Sequence, residues 1–210
     1  LVAGNIGVGF ALSISEQDFE YVVLELSSFQ LDGIKNFRSN VAIILNITSD
    51  HLERYNYKIE NYIASKFRIT LNQNADDFLI YNADDKFVKT IESQAKKLPI
   101  SLINKQNEGG YLNNKKLIIK LNNQTMTIQE LALQGKHNIF NSMAAAMAAR
   151  VFEVKDSVIR QSMIDFQNLE HRLEHVLTVH GIDFINDSKA TNVNASWFAL
   201  ESMQKNVVWI

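Results

Sequence analysis

The chain has 210 residues, with 21 Lys plus Arg against 23 Asp plus Glu and no cysteine. That length suits one large domain, or one domain and part of a second. Near-balanced charge gives no electrostatic case for nucleic acid or a membrane surface as partner, and the missing cysteines exclude disulfides, thiolate metal sites and a cysteine nucleophile.

No apolar run approaches the ~20 residues that span a bilayer, and nothing at the start resembles a signal peptide. The glycosylation-type triplets at Asn46, Asn123 and Asn194 therefore read as chance matches. The chain begins at Leu1 rather than Met and runs straight into a glycine turn. It ends on Val207-Val208-Trp209-Ile210, which reads as a strand with nothing after it to pack it. A fragment of a longer protein is expected.

In chain order, Gly4-Asn5-Ile6-Gly7 predicts a tight turn that lets backbone approach a ligand closely. No Gly-x-x-x-x-Gly-Lys-Ser/Thr phosphate loop occurs in the chain. Tyr21-Val22-Val23-Leu24 predicts a buried strand ending at Glu25, followed by Leu26-Ser27-Ser28-Phe29-Gln30. That junction is either a strand end with a Ser helix cap or a carboxylate placed to hold Mg²⁺ through oxygen. Val41-Ala42-Ile43-Ile44-Leu45 predicts another buried strand, with Asn46, Thr48, Ser49, Asp50 and His51 crowding its C-terminal end. In open parallel α/β sheets, ligands bind at that end of the strands. Glu25 and Asp50-His51 thus offer metal-type ligands at two strand ends.

A helix stripe follows at Ile59, Tyr62, Ile63, Phe67 and Leu71, and Lys66 falls inside it. Lysine is almost never fully buried unless paired. It either snorkels to the surface, or pairs with an acid, or has a depressed pKa, or carries a covalent modification that changes its charge.

Strands are predicted over 77–81 and 98–103, with a helix from Asp84 to Gln94 between them. Tyr111-Leu112, Lys116 to Leu121 and Thr125 to Ile128, joined by Asn-Asn turns, predict a small antiparallel meander. Gly135-Lys136-His137-Asn138 opens a helix to about Phe152, with a core stripe of Phe140, Met143, Ala144, Met147 and Val151. Asn138 and Asn141 share another face with Ala145. An N-cap would explain Asn138 but not Asn141, since Asn is a poor helix-interior residue. Such amides could read a flat polar ring such as adenine. An amphipathic helix spans Asp156 to Phe166, and Asn168 to Arg172 reads as an interdomain linker. Glu174 to Val179 and Ile182 to Ile185 pair across His180-Gly181. The polar loop Asn186-Asp187-Ser188-Lys189-Ala190-Thr191-Asn192 leads to a helix reaching about Met203. A purely local reading makes Asp187 or Thr191 the N-cap of that helix.

Together these motifs resemble the Mur ligase family. The matching stretches are Gly4 to Gly7, Glu25 to Leu31, Asn46-Ile47-Thr48 with Asp50-His51 and Arg54-Tyr55, Ala64-Ser65-Lys66, Gly135 to Asn138 with Asn141, His171-Arg172 and Asn186 to Asn192. They cover nearly the whole chain in the family's order. The runs at Glu25 and Asn186 point to the members that add D-glutamate. Ser49 stands where many relatives have proline.

The resemblance implies an α/β fold: a mostly parallel sheet flanked by helices, as in a P-loop-type Mur ligase central domain lacking its phosphate loop, with a small antiparallel meander. Residues 1–169 would form that ATP-binding domain, and 170–210 the first elements of a Rossmann-like C-terminal domain. It implies ATP and Mg²⁺ as cofactors, and UDP-N-acetylmuramoyl-L-alanine and D-glutamate as substrates of a cytoplasmic monomer. Glu25, His51 and a carbamylated Lys66 would hold metal. Asn138, Asn141, Arg172 and Asp187 would hold the nucleotide, and Asn5, Ser27 and Gln30 the muramoyl substrate. His51, Lys66, Lys189 and Thr191 would serve the chemistry. The alternatives are another Mur-type or folylpolyglutamate-synthase-like ligase, or a nucleotide- or metal-binding module without catalysis.

Overall fold

The computed structural model describes residues 1–132, 135–167, 169–203 and 205–210. Residue 168 of the expected linker lies outside them. Strands β1 (Val2–Gly4) and β2 (Val23–Glu25) form a two-stranded parallel sheet, with α1 (Phe10–Glu16) between them and α2 (Ser28–Asp32) after it. The main sheet has six strands in sequence order: β3 (Val41–Ile44), β4 (Phe78–Asn82), β5 (Lys96–Ser101), β6 (Gly109–Asn113), β7 (Lys116–Leu121) and β8 (Gln124–Ile128). Helix α3 (Ile59–Phe67) lies between β3 and β4 in sequence, and α4 (Lys136–Val151) and α5 (Asp156–Asp165) follow β8. The hairpin β9 (Glu174–Val179) and β10 (Ile182–Asn186) and helix α6 (Val193–Glu201) complete the order. This is the expected α/β architecture, with a mostly parallel central sheet flanked by helices.

The chain divides into two compact units. One comprises residues 1–42, 49–79 and 90–96, the other 43–48, 80–89 and 97–210. In the second, the meander is not a separate appendage. Strand β6 pairs parallel to β5, and β7 and β8 extend the same sheet antiparallel. Alternation along β7 and β8 turns Leu117, Ile119, Leu121, Met126 and Ile128 inward, where α4 covers β6 and β7 with Met143 and Met147. Gly110 permits this approach: a Cβ there would sit 3.4 Å from Met143 Sδ and 3.3 Å from Ile119 Cδ1.

In the first unit, α3 grips α2 through polar groups. Ser65 Oγ donates to the Ser28 carbonyl at 3.0 Å, and Arg68 donates to the carbonyls of Leu31 and Ile34 at 2.8 and 2.6 Å. Asp77, with a side chain 1% exposed, accepts a two-pronged contact from Arg38 at 2.7 and 3.0 Å and the Asn74 N–H at 2.8 Å. Burial pushes the Asp77 carboxyl up. The Arg38 and Asn74 hydrogen bonds and the Arg38 charge outweigh that and hold it below its ordinary value.

Several expectations give way. Tyr21, Val22 and Val23 are exposed, so the run from Tyr21 to Leu24 is not a buried strand. The run at Val41 is only half buried in alternation, with Ile43 turned outward. Leu71 lies beyond the end of α3 and is exposed, because the chain tightens into a 3₁₀ turn at Arg68–Thr70. Residues 84–94 form turns and one short 3₁₀ helix (Val88–Thr90), not a helix. The Asp85 carboxylate accepts the N–H groups of Phe87 and Val88, while Asp84 accepts from Ser101 Oγ and the Leu102 N–H. These side chains offer the backbone an alternative to helix. Residues 207–210 are exposed and form no strand.

Candidate functional site

Gly4 has φ +113°, and a Cβ there would collide with the Glu25 carbonyl. Its absence lets the turn after β1 close onto the end of β2, where the Asn5 N–H donates to the Glu25 carbonyl at 2.8 Å. Asn5 Nδ2 also donates to Glu25 Oε1 at 3.0 Å. One carboxylate oxygen is thereby oriented by a neighbour, as supporting residues orient metal ligands.

Two residues beyond Glu25, Ser27 caps α2 in a reciprocal box. Its hydroxyl accepts the Gln30 N–H at 3.3 Å, and Gln30 Oε1 accepts the Ser27 N–H at 2.9 Å and the Ser27 hydroxyl at 3.0 Å. The local reading of the serine as a cap therefore holds. It leaves Gln30 Nε2 as the donor outside the box.

His51 adopts φ 50°, a left-handed conformation that costs a non-glycine residue about 1 kcal/mol. Asp50 Oδ1 accepts its N–H at 3.0 Å. The imidazole packs on Phe29 of α2 with ring centroids 5.3 Å apart, and the Arg54 guanidinium lies 4.5 Å from the Phe29 centroid. An aromatic of α2 thus braces the histidine at the end of the β3 segment.

The Lys66 side chain runs from α3 past the Tyr62 ring, its Nζ 5.4 Å from the ring centroid. It is half buried. Burial lowers the amine below the usual lysine range, and the carboxylates of Glu25 and Asp50 pull it part of the way back. Glu25 and Asp50 are therefore each within electrostatic reach of Lys66 despite their separation in sequence. Among the described residues no three His, Asp or Glu side chains form a ready-made metal cluster. The donor set still fits Mg²⁺, which takes one or two carboxylates and completes its shell with water and substrate phosphates.

The second group of candidates belongs to the other unit. Asn138 and Asn141 lie on α4, with Asn141 Nδ2 donating to Asn138 Oδ1 at 3.4 Å. Asn138 is not the N-cap, because Gly135 holds that place at φ 95°. Asp187 accepts the Leu173 N–H at 3.0 Å. The Lys189 N–H donates to the His171 carbonyl at 3.1 Å, while the side chains of Arg172, Lys189 and Thr191 are exposed. Neither Asp187 nor Thr191 caps α6. Asn192 does, its Oδ1 accepting the Ala195 N–H at 2.9 Å.

Sequence reasoning missed one feature here. His137 packs on Phe198 of α6 at 6.0 Å between centroids. Burial lowers its pKa, and the charges of Asp187 and Glu201 act against that.

Glu25 closes β2 of the two-stranded parallel sheet, and Asp50 and the half-buried Lys66 lie on the segment and helix that follow β3, on the C-terminal side of strands where α/β proteins bind ligands. The Mur ligase middle domain family matches residues 4–149, and the chain belongs to that family. It is 50% identical to the UDP-N-acetylmuramoylalanine--D-glutamate ligase of Christiangramia forsetii over 215 aligned residues, covering 100% of this chain and 48% of that protein. The Bacteroides fragilis protein of the same name is 45% identical, with the same coverage of 100% and 48%. The chain thus spans about half the length of these curated relatives. Solved structures share the fold. MurF from Acinetobacter baumannii superposes with a TM-score of 0.69 at 18% identity, over 88% of this chain and 42% of that one. MurF from Thermotoga maritima in complex with ADP gives 0.69 at 15% identity, over 96% and 50%.

Proposed function

We propose that the intact protein is an ATP-dependent, ADP-forming ligase that joins D-glutamate to UDP-N-acetylmuramoyl-L-alanine in peptidoglycan synthesis. One observation carries the reading: a half-buried amine, Lys66, that feels the charges of Glu25 and Asp50, in a chain matching the Mur ligase middle domain over 4–149. The names of the relatives supply the substrates. Residues 1–169 act as the ATP-binding domain and 170–210 open the domain that follows. The protein works as a cytoplasmic monomer. No helix among the described residues is long and apolar enough to cross a membrane.

In this reaction the terminal phosphoryl group of ATP passes to the muramoyl-alanine carboxylate and ADP leaves. The amine of D-glutamate then attacks the acyl carbon, loses a proton, and phosphate departs as the amide forms. Little covalent work falls to the protein, whose task is to position anions and stabilise their charge. Mg²⁺, when bound, neutralises the phosphate oxygens. Glu25 would hold one ion, and His51 with carbamylated Lys66 a second.

Carbamylation joins the lysine nitrogen to carbon dioxide with loss of a proton, so it needs the neutral amine. The lowered pKa of Lys66 favours that form. Asn138, Asn141 and Arg172 hold the adenosine, with Asp187 on the ribose side. Asn5, Ser27 and Gln30 meet the muramoyl substrate, and Lys189 and Thr191 reach the reacting centre.

The experiment is ADP release by the intact protein with ATP and UDP-N-acetylmuramoyl-L-alanine. Release should require D-glutamate. Equal stimulation by another amino acid would reassign the enzyme to another ligase of the same type. Nucleotide binding with no amine-dependent release would leave a binding module. The 210 residues contain no Gly-x-x-x-x-Gly-Lys-Ser/Thr, so on their own they should bind ATP weakly and not ligate.

A further inference from the structure

Three hydroxyl-bearing residues in the first unit are buried without any part in the chemistry just described: Ser28 at 3% exposure, Ser65 at 3% and Tyr55 at 6%. They form one chain of contacts. The Tyr55 hydroxyl lies 3.1 Å from Asp32 Oδ2, at the last residue of α2, and 3.2 Å from Ser65 Oγ on α3. Ser65 Oγ donates onward to the Ser28 carbonyl, in the first turn of α2, at 3.0 Å. Ser65 spends its proton there, so it accepts from Tyr55, or the Tyr55 proton goes to Asp32. Either way the Tyr55 oxygen joins both ends of α2 to one residue of α3. The ring itself is held against Tyr62, with centroids 5.3 Å apart. A buried polar chain adds little net stability compared with apolar packing, but it fixes one geometry and penalises every other.

The position of this chain in the sequence gives it a consequence. Ser65 immediately precedes Lys66, and Ser28 follows Ser27 three residues after Glu25. We infer that Tyr55 and Ser65 are positioning residues that set the register of α3 on α2, and so hold Lys66 in the place where its carbamate forms. The inference rests on the proposed role of Lys66. A serine in a helix interior with an apolar stripe would be replaceable by alanine on packing grounds. Its hydroxyl is explained by a demand for geometry.

The test reads the carbamate itself. The intact protein is equilibrated with ¹³C-bicarbonate and Mg²⁺, and the lysine carbamate is observed by ¹³C NMR, with Lys66→Ala identifying the resonance. Tyr55→Phe keeps the ring and removes one oxygen. It should reduce the carbamate signal about tenfold, in the range typical for residues that orient a ligand. Ser65→Ala should do the same, and Ser65→Thr, which retains a hydroxyl, should keep most of the signal. Arg38→Met breaks a different contact of the same unit and controls for loss of stability, so it should melt earlier with the signal intact.

A parent signal that survives both Tyr55→Phe and Ser65→Ala would overturn the inference and leave the Lys66 assignment standing. No Lys66 carbamate in the parent protein would instead remove that assignment, and the inference with it. Should Tyr55→Phe fail to fold, the Ser65→Ala and Ser65→Thr pair decides alone.

Discussion

The β6–β8 ribbon under α4 and the contact between α2 and α3 each have a buried centre, yet different forces hold them. The ribbon excludes water from Leu117, Ile119, Met126, Ile128 and Met143, groups with no directional demand. The helix pair buries Ser28, Ser65 and Tyr55, whose oxygens must meet one another and the backbone. Apolar packing tolerates replacement by shape, because area removed from water is what counts. A hydrogen-bonded clamp tolerates less, because a lost partner leaves a buried group unsatisfied. The difference teaches where the molecule invests in stability and where in position: Lys66 and Ser27, both proposed for function, adjoin clamp residues Ser65 and Ser28 in the chain.

The comparison breaks most visibly at Met143. Met143→Ala should cost about 3 kcal/mol in urea unfolding, while Met143→Leu should cost about 1 kcal/mol. If the two were alike, the ribbon would not be held by packing. Gly4→Ala should cost about 2 kcal/mol, because the new Cβ meets the Glu25 carbonyl at a φ that disfavours side chains. Gly9→Ala, with open space around it, is the near-neutral control.

Asp77→Asn should lower the melting temperature by about 5 °C at neutral pH, read by differential scanning calorimetry. The sign with pH follows from a depressed folded pKa. The stabilisation is complete above the ordinary value of 3.8 and is lost as pH falls through the lower folded value, so the variant should flatten the acid limb of the stability curve. The smallest change in stability, about 1 kcal/mol, is expected for Tyr55→Phe. In that variant the functional loss should exceed the stability loss, whereas Met143→Ala should show the reverse.

Periodicity makes the ribbon legible in the sequence. The alternation in β7 and β8 and the Asn-Asn turns between strands are sufficient, and the stripe Met143, Ala144 and Met147 marks the face of α4. The stretch at 84–94 misleads because its apolar residues do recur at helical spacing, but Asp84 and Asp85 bind nearby backbone and side-chain groups first. Tyr21 to Val23 look like a buried strand by composition alone, and nothing in a sequence reports which faces a short parallel pair leaves uncovered.

The anomaly at Lys66 is visible in the sequence as a cation inside an apolar stripe. Its electrostatic neighbours Glu25 and Asp50 come from elsewhere in the chain and can be reached only through the family's pattern. The clamp is illegible. Serine and tyrosine carry no periodic signature of a hydrogen bond between helices, and the left-handed backbone of His51 has no residue-type marker as strong as glycine.

The central claim is that Lys66 serves the chemistry and not the fold. The most direct measurement compares the intact protein with its Lys66→Ala variant in two assays: D-glutamate-dependent ADP formation and nucleotide affinity. Turnover should fall about a hundredfold or more, with nucleotide affinity changed by less than about threefold, because the lost interaction is made at the reacting centre. Turnover that stays at the parent level would contradict the claim and return Lys66 to the status of a half-buried surface lysine.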